Sequence, residues 1–378
     1  MADQPMTDAG EEEKDLDLST PDVVTKYTLA GEIANRTLAR IVTMCVPGTK
    51  IVEICSAGDA YIREQVAAVY KSSKFEKGIA FPTCVSVNNC CGHYSPLDEE
   101  STVLAAGDVA KIDLGAHIDG FIALVAHTHV VGGGDITGRQ GDAIAAANAA
   151  AEAVLRTLKP GNKNSDVTKR IEQAISAFKC EPVDGVVSHQ LKRFTIDGQK
   201  CIMSKAHPEK KVAECTFEEN EVYAVDIVVS TGEGKAREAD TRTTVFKRAV
   251  DNTYALKLKA ARQLFHDVKE KHPHMPFSLR DFDSQRAKMG VVECVKHDLL
   301  QAYPVLYERP ENQVVQIKFT VLLLPAGPLR ITSHALQPHK SEHEILDEEL
   351  KALLATDISR KKRRKKASGK KEGEMDTS

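Results

Sequence analysis

The sequence predicts an α+β fold built from two similar halves and interrupted late by a helical insertion. Three observations carry this. Two β-rich stretches, 111–131 and 221–234, each have an apolar strand-like run interrupted by an aspartate, Asp113 and Asp226, 113 residues apart. The dipeptides Pro47-Gly48 and Pro160-Gly161 each end a long helix-period segment, at the same offset. A block of helical periodicity, 251–302, separates the second Asp-bearing run from a last β-rich segment, Val314–Leu324. Self-similarity at one offset for two landmarks marks a duplicated unit.

The elements follow in order. Residues 1–18 hold seven acids, one lysine and no aromatic, the composition of a disordered segment. A first helix has Thr20 as N-cap and Pro21 at its first position. Its apolar stripe is Val23, Tyr27, Ala30, Ala34, Leu38, Ile41 and Cys45. A second amphipathic helix covers roughly 50–70. Strand-like residues Ile79–Val87 and a polar cluster, Ser86–Pro96, lead to two strands joined by a turn at His117–Gly120, where Asp119-Gly120 is a hairpin signal. After Gly132–Gly134 the order repeats: an Ala-rich helix over about 139–158, a helix over Ser165–Phe178, strand-like Val183–Leu191, and the second Asp-bearing run. The insertion is expected to hold helices over Tyr254–His272, from a Ser278 cap to near Gly290, and over Val291–Gln301. A last helix, Glu342–Ala355, precedes a basic tail. The expected division is an acidic N-terminus (1–18), a main domain of two pseudo-symmetric halves (19–250), the insertion (251–302), returning strands (303–340), a C-terminal helix (341–356) and a tail (357–378).

An aspartate inside an apolar strand is costly to bury unless something pairs with it. One such residue is most simply a satisfied core group. Two at matching positions of facing halves point instead to a shared central pocket. The chain has 378 residues, a formal charge of −3 and nine cysteines. It has no apolar N-terminal signal and no apolar run of membrane-spanning length, so no membrane insertion and a reducing compartment are expected. The cysteines then read as free thiols, a vicinal Cys90–Cys91 disulfide being the weaker alternative.

Charge is unevenly placed. Arg360, Lys361, Lys362, Arg363, Arg364, Lys365 and Lys366 form an unbroken cationic run. Such a run can simply solvate a tail, but it reads better as a nuclear-localisation or nucleic-acid patch. Lys257, Lys259, Arg262, Arg280, Arg286 and Lys288 suggest a second, structured RNA contact on the insertion. Lys192 and Arg193 would line a pocket mouth or a solvated edge. Leu350, Leu353 and Leu354 have the LxxLL form of a docking helix, though packing against the core explains them equally well. His127 and His129 have the spacing of a metal pair, but on a strand both face away from Leu124.

Four motifs now stand together: SVNNCCGHYSP (86–96), KIDLG with GFIALVAHT (111–128), SHQL (188–191) and EVYAVD (221–226). In this order the chain resembles the type II methionine aminopeptidases and their pita-bread fold, over about 20–340, insertion included. GIAFP, SVNNC, TVLLLPAGPLRITS and the basic C-terminus make it look most like the proliferation-associated, ErbB-receptor-binding branch, which is not peptidolytic. The aminopeptidases hold two metal ions with two Asp, one His and two Glu. By motif these positions are Asp113, Leu124, His189, Asp226 and Lys318 here, Leu124 and Lys318 replacing the two bridging carboxylates. The substrate-side histidine matches His93, and a further catalytic histidine falls on Asp197. The ligand set thus goes from a formal charge of about −4 to about −1, where a two-metal centre needs bridging anions.

The resemblance implies a pseudoenzyme without a cofactor, in which Lys318 serves as counter-ion to Asp113 or Asp226. It also implies binding to RNA, including ribosomal RNA, and to the large ribosomal subunit. Roles in ribosome biogenesis, rRNA processing, transcription and translation regulation and growth control follow, with residence in cytoplasm, nucleus and nucleolus. A growth-factor receptor's cytoplasmic region and transcriptional coregulators are implied partners. The competing reading is a residual metal-dependent methionine aminopeptidase using one metal on Asp113, His189 and Asp226. A third is a pocket that holds peptide N-termini without cleaving them.

Overall fold

A computed structural model describes residues 16–207, 212–282 and 284–358. The first fifteen residues and the cationic run Arg360–Lys366 lie outside the described residues.

In chain order the first half comprises α1 (Pro21–Met44), α2 (Ile51–Ala68), β1 (Lys77–Val87), β2 (Cys90–Gly92), β3 (Val109–Ile118) and β4 (Phe121–Val130). The second repeats the plan with α3 (Gly138–Thr157), α4 (Asn164–Ser176), β5 (Glu181–Pro182), β6 (Val187–Leu191), β7 (Cys201–Met203) and β8 (Val222–Ser230). Then come β9 (Arg237–Glu238), β10 (Val245–Arg248), α5 (Lys259–Lys271), β11 (Phe277–Ser278), α6 (Ser284–Lys296), β12 (Leu300–Tyr303), β13 (Leu306–Tyr307), β14 (Val314–Leu324), β15 (Gly327–Arg330) and α7 (Glu348–Leu354).

The main sheet runs β1-β3-β4-β14-β8-β6-β7, so the halves meet where β4 borders β14. Each half lays two helices on one face of its strands, with α1 against β3 and β4 and α3 against β8 and β14. The helix stripes read from sequence are those that pack: Val23, Tyr27, Ala30, Ala34, Leu38 and Ile41 of α1 are all buried. Burial of an aliphatic side chain contributes about 1.5–3 kcal/mol, so the two helical layers hold the sheet through many such contacts. The opposite face, at the seam between halves, is left for the site. The β3–β4 turn is the expected tight hairpin. Asp119 and Gly120 both have positive φ, 57° and 77°, the requirement of a type I′ turn.

The second half departs from a literal repeat. The strand pairing with β8 is not the next one in sequence but β14, which returns only after the insertion. The insertion helices also differ from expectation. Residues 254–258 are not helical, and α5 begins at Lys259 with its approach fixed by Glu293, whose carboxylate accepts from the backbone N–H of Lys257 at 3.1 Å and of Leu258 at 3.2 Å. The helices expected on either side of Gly290 are one helix, α6, preceded by a 3-10 turn at Leu279–Asp281. Gly290 does not stop α6 because it is the contact point with α5: a Cβ there would lie 2.8 Å from the Ala260 carbonyl oxygen. Residues 300–303 pair with β10 as a strand. The last helix is shorter than its pattern. Asp142 takes Ser341 Oγ at 2.7 Å and Glu342 N–H at 3.3 Å, holding the preceding segment extended until Asp347 caps α7.

Candidate functional site

Strand register builds the centre of the site. Asp113 on β3 lies opposite Ala126 on β4, Ala126 opposite Lys318 on β14, and Lys318 opposite Asp226 on β8. Directly paired residues share a face of the sheet. Because Ala126 carries only a methyl group, the Lys318 side chain can reach across β4. Its Nζ lies 2.5 Å from Asp113 Oδ2 and 3.1 Å from Asp226 Oδ2. The expected counter-ion therefore serves both aspartates at once. Gln316, two residues back on the same face, donates Nε2–H to Asp226 Oδ1 at 2.8 Å. The other Asp113 oxygen, Oδ1, is buried and accepts no hydrogen bond from the described residues.

Burial pushes the Asp113 carboxyl up to about 6, with Lys318 pulling the other way and Asp226 adding to the rise. Lys318 is held above the ordinary lysine range: burial opposes its charge, but the two carboxylates outweigh it. The centre is thus a cation between two acids, one of them poorly solvated.

The histidines complete the wall. His93 sits in a left-handed backbone conformation, φ 64°, with Nδ1 3.1 Å from the Pro304 carbonyl oxygen. Its ring faces Phe81 and Tyr303 at 5.8 and 5.5 Å. Burial, then Lys318, pushes it down to about 4, so it is neutral. His189 Nδ1 lies 3.4 Å from Cys201 Sγ, and burial lowers its pKa too. Asp197 is held by Lys247 at 2.5 Å. Together with Leu124 these groups line a cavity of about 310 Å³.

This donor set does not fit a two-metal centre. Leu124 offers no lone pair and packs against Gly115, where a Cβ would meet its Cδ2 at 2.4 Å. Lys318 fills the space between the aspartates with three N–H donors and no acceptor. Among the described residues no group of three or more His, Cys, Asp or Glu side chains is arranged to hold a metal ion. What remains is a semi-apolar cavity with a fixed ion triad at its floor.

The sequence places Asp113, Leu124, His189, Asp226, Lys318, His93 and Asp197 around one pocket; in the structure all but Asp113 line one cavity, and Asp113 is bonded to Lys318. Sequence reasoning missed Ala126, Gln316 and Lys247. The first two were accessible in principle, each two residues from a site position on the same strand face; Lys247 carries no local signal. Lys192 and Arg193 do not line this cavity. Arg193 instead reaches Asp119 at 2.8 Å, which Lys26 also binds at 2.8 Å, fixing the hairpin tip. His127 faces away from Leu124 and meets His334, ring centroids 4.6 Å apart.

The other candidate surfaces need correction. Arg280 is not an outward cation. Its guanidinium turns inward to Asp59 Oδ2 at 2.6 Å, Ser95 Oγ at 2.6 Å and the Pro96 carbonyl at 3.1 Å. Lys288 pairs with Glu99. Arg262 bonds the carbonyl of Lys257 at 2.7 Å, and Lys257 itself precedes the helix. Lys257, Lys259, Arg262 and Arg286 are exposed. Leu350 is fully buried, and Leu353 and Leu354 pack beside it on the α3–α4 core, because α7 needs that stripe to dock at all. The LxxLL pattern is therefore committed internally. All nine cysteines are free thiols. No helix among the described residues is long and apolar enough to cross a membrane.

Comparison with known proteins agrees with this architecture. Residues 25–244 match metallopeptidase family M24. The ErbB-3 binding protein 1 of Solanum tuberosum is 52% identical over 97% of this chain and 96% of its own length. A protein of Schizosaccharomyces pombe named curved DNA-binding protein is 42% identical over 93% of this chain and 95% of its own. The solved structure of a thermophilic Arx1 superposes with a TM-score of 0.86 at 31% identity, over 90% of this chain and all of that one. The helices backing each half, the seam between β4 and β14 and the pocket on it are thus those of a pita-bread protein, and the chain belongs to metallopeptidase family M24, in the branch that holds the ErbB-3 binding protein 1 sequences.

Proposed function

We propose that this protein is a non-hydrolysing M24 protein that works by binding RNA and ribosomal particles, with roles in ribosome biogenesis, translation regulation and growth control. The observation that carries the loss of chemistry is the Lys318 ammonium bonded to both Asp113 and Asp226, in the cavity that Leu124 also lines. Hydrolysis by two metals requires bridging anions and an activated water between the cations. A lysine in that space removes both. The nucleic-acid reading is supported by the cationic run Arg360–Lys366, by the exposed Lys257, Lys259, Arg262 and Arg286 of the insertion, and by the relative named for DNA binding. Its partners would be ribosomal RNA on the large subunit, a growth-factor receptor's cytoplasmic region, as the relative's name suggests, and transcriptional coregulators. Residence in the cytoplasm, nucleus and nucleolus accords with the basic tail.

The test has two arms on the full chain. Purified protein is titrated with cobalt and manganese and assayed for release of N-terminal methionine. It is also sedimented with large ribosomal subunits at increasing salt. Weak metal binding, no turnover and salt-sensitive cosedimentation are expected. Stoichiometric metal with turnover would establish the residual one-metal peptidase instead. Failure to cosediment would remove the ribosomal reading while leaving the loss of chemistry standing.

A further inference from the structure

The nine thiols are not equivalent. Seven, Cys45, Cys55, Cys84, Cys90, Cys91, Cys180 and Cys294, are buried, and only Cys201 and Cys215 are partly exposed. These two are neighbours, although fourteen residues separate them in sequence. Asn164 joins their backbones: its Nδ2 donates to the Cys201 carbonyl at 2.9 Å, and its Oδ1 accepts from Cys215 N–H at 3.1 Å. Asn164 N–H in turn donates to the Cys215 carbonyl at 3.1 Å. The Cys215 thiol lies near the Cys201 backbone.

We propose that Cys201 and Cys215 form a reversible disulfide when the protein meets a hydroperoxide. Asn164 holds the two backbones side by side, and a disulfide between them requires a Cα separation of about 4.4–6.8 Å. The chemistry also has an order. Burial raises the Cys215 thiol, and Lys200, which bonds the neighbouring Thr216 carbonyl at 3.0 Å, offsets part of that rise, as does the Cys201 backbone. The Cys215 thiolate attacks the peroxide O–O bond, taking one oxygen as sulfenic acid and releasing an alcohol, or water from hydrogen peroxide. The Cys201 thiol, which contacts the carbonyl oxygens of Gly198 and Gln199 at 3.5 and 3.4 Å, then attacks the sulfenic sulfur. An S–S bond forms, the S–O bond breaks, and water leaves with the thiol proton. Two thiols are oxidised and one peroxide reduced. Burial raises both thiols, so the pair reacts slowly at neutral pH and faster as pH rises.

The bond would tie β7 to the loop that carries Cys215. It would also draw the Cys201 sulfur from His189, on the cavity wall, so the redox state of the pair is coupled to the pocket's shape.

The experiment needs no variant in its first arm. Full-length protein is treated with hydrogen peroxide, blocked with an alkylating agent and digested with trypsin without reduction. The expected product joins the peptide 201–205 to the peptide that begins at Val212, two hydrogens lighter than their sum, and separates on adding dithiothreitol. Cys215→Ser should leave Cys201 alkylated rather than oxidised, and Cys201→Ser should trap the sulfenic acid on Cys215, detectable with dimedone. Recovery of both peptides as separately alkylated or irreversibly oxidised thiols, under conditions that convert glutathione to its disulfide, would overturn the proposal. So would a linkage from either cysteine to one of the seven buried ones.

Discussion

Replacing Lys318 by methionine tests the logic of the pocket directly. Lys318 is 8% exposed and, among the described residues, its ammonium is the only cation bonded to Asp113, which is 3% exposed and already has one oxygen without a partner. Methionine keeps most of the volume and removes the charge, leaving two carboxylates facing each other over Ala126. Removing one member of a buried ion pair typically costs ~3–5 kcal/mol, because the remaining charge is stranded. The sign with pH follows from Asp113, whose pKa lies at about 6 against 3.8 for a free aspartate. A carboxyl raised in the folded state is penalised above its folded pKa and relieved as pH falls through it. Without Lys318 that pKa rises further. The loss should therefore be largest near pH 8 and shrink by about 1.4 kcal/mol for each unit below the new pKa. Since the chain has no tryptophan, urea unfolding is followed by far-ultraviolet circular dichroism and extrapolated linearly. A loss below about 1 kcal/mol at pH 8, or an equal loss at about pH 5, would show that Lys318 does not neutralise the aspartates.

Four further outcomes are expected. Leu124→Asp with Lys318→Glu should raise cobalt affinity, measured by calorimetry, more than either change alone; turnover need not return, since Asp197 still replaces a histidine. Arg280→Glu should destabilise by ~3–5 kcal/mol by stranding Asp59, whereas Lys257→Glu with Lys259→Glu should leave the melting temperature unchanged and weaken ribosome cosedimentation. Deleting residues 360–371 should leave folding intact and flatten the salt dependence of RNA binding by about 0.7–0.9 log units for each phosphate no longer neutralised, read from filter binding. Finally, burial holds His93 at about 4 and His117 and His127 at about 3, so each stays neutral when folded while the unfolded chain takes up protons below 6.5. Each lowers stability by up to ~1.4 kcal/mol per pH unit on acidification, against the opposing Asp113, and His127→Gln should shallow the slope of the urea midpoint with pH.

Much of the fold was legible because its signals are local or periodic. The 113-residue offset, the Asp119-Gly120 turn and the stripe of α1 each need only neighbouring residues to be read. The insertion was misread where local and tertiary signals conflict. Gly290 looks like a helix stop, yet it persists inside α6 because Ala260 presses against it. Arg280 looks like a surface cation, yet its partner Asp59 lies 221 residues away on α2. No periodicity reports a pairing at that distance, and a basic residue buried against an acid has the same local context as one facing solvent. The LKALL segment shows the reverse case: its leucines look like a docking motif, and the core they complete belongs to α3 and α4.

The fold ties the polar framework of the pocket to the core. Asp113 and Asp226 sit on β3 and β8, the strands on either side of the β4–β14 pair at the seam, and the register that aligns them is the one that packs each half's helices behind the sheet. A one-residue slip would turn every apolar side chain of β3 to the wrong face, so the aspartates cannot be moved independently of the core. Their charge must be neutralised where it stands. A single lysine from β14, the strand that closes the seam, meets that need because Ala126 leaves room for it to cross. Lys318 is thus tied to Ala126 as much as to the acids. Enlarging Ala126 to valine should crowd the lysine away from Asp113 and reproduce part of the Lys318→Met defect, with the same dependence on pH.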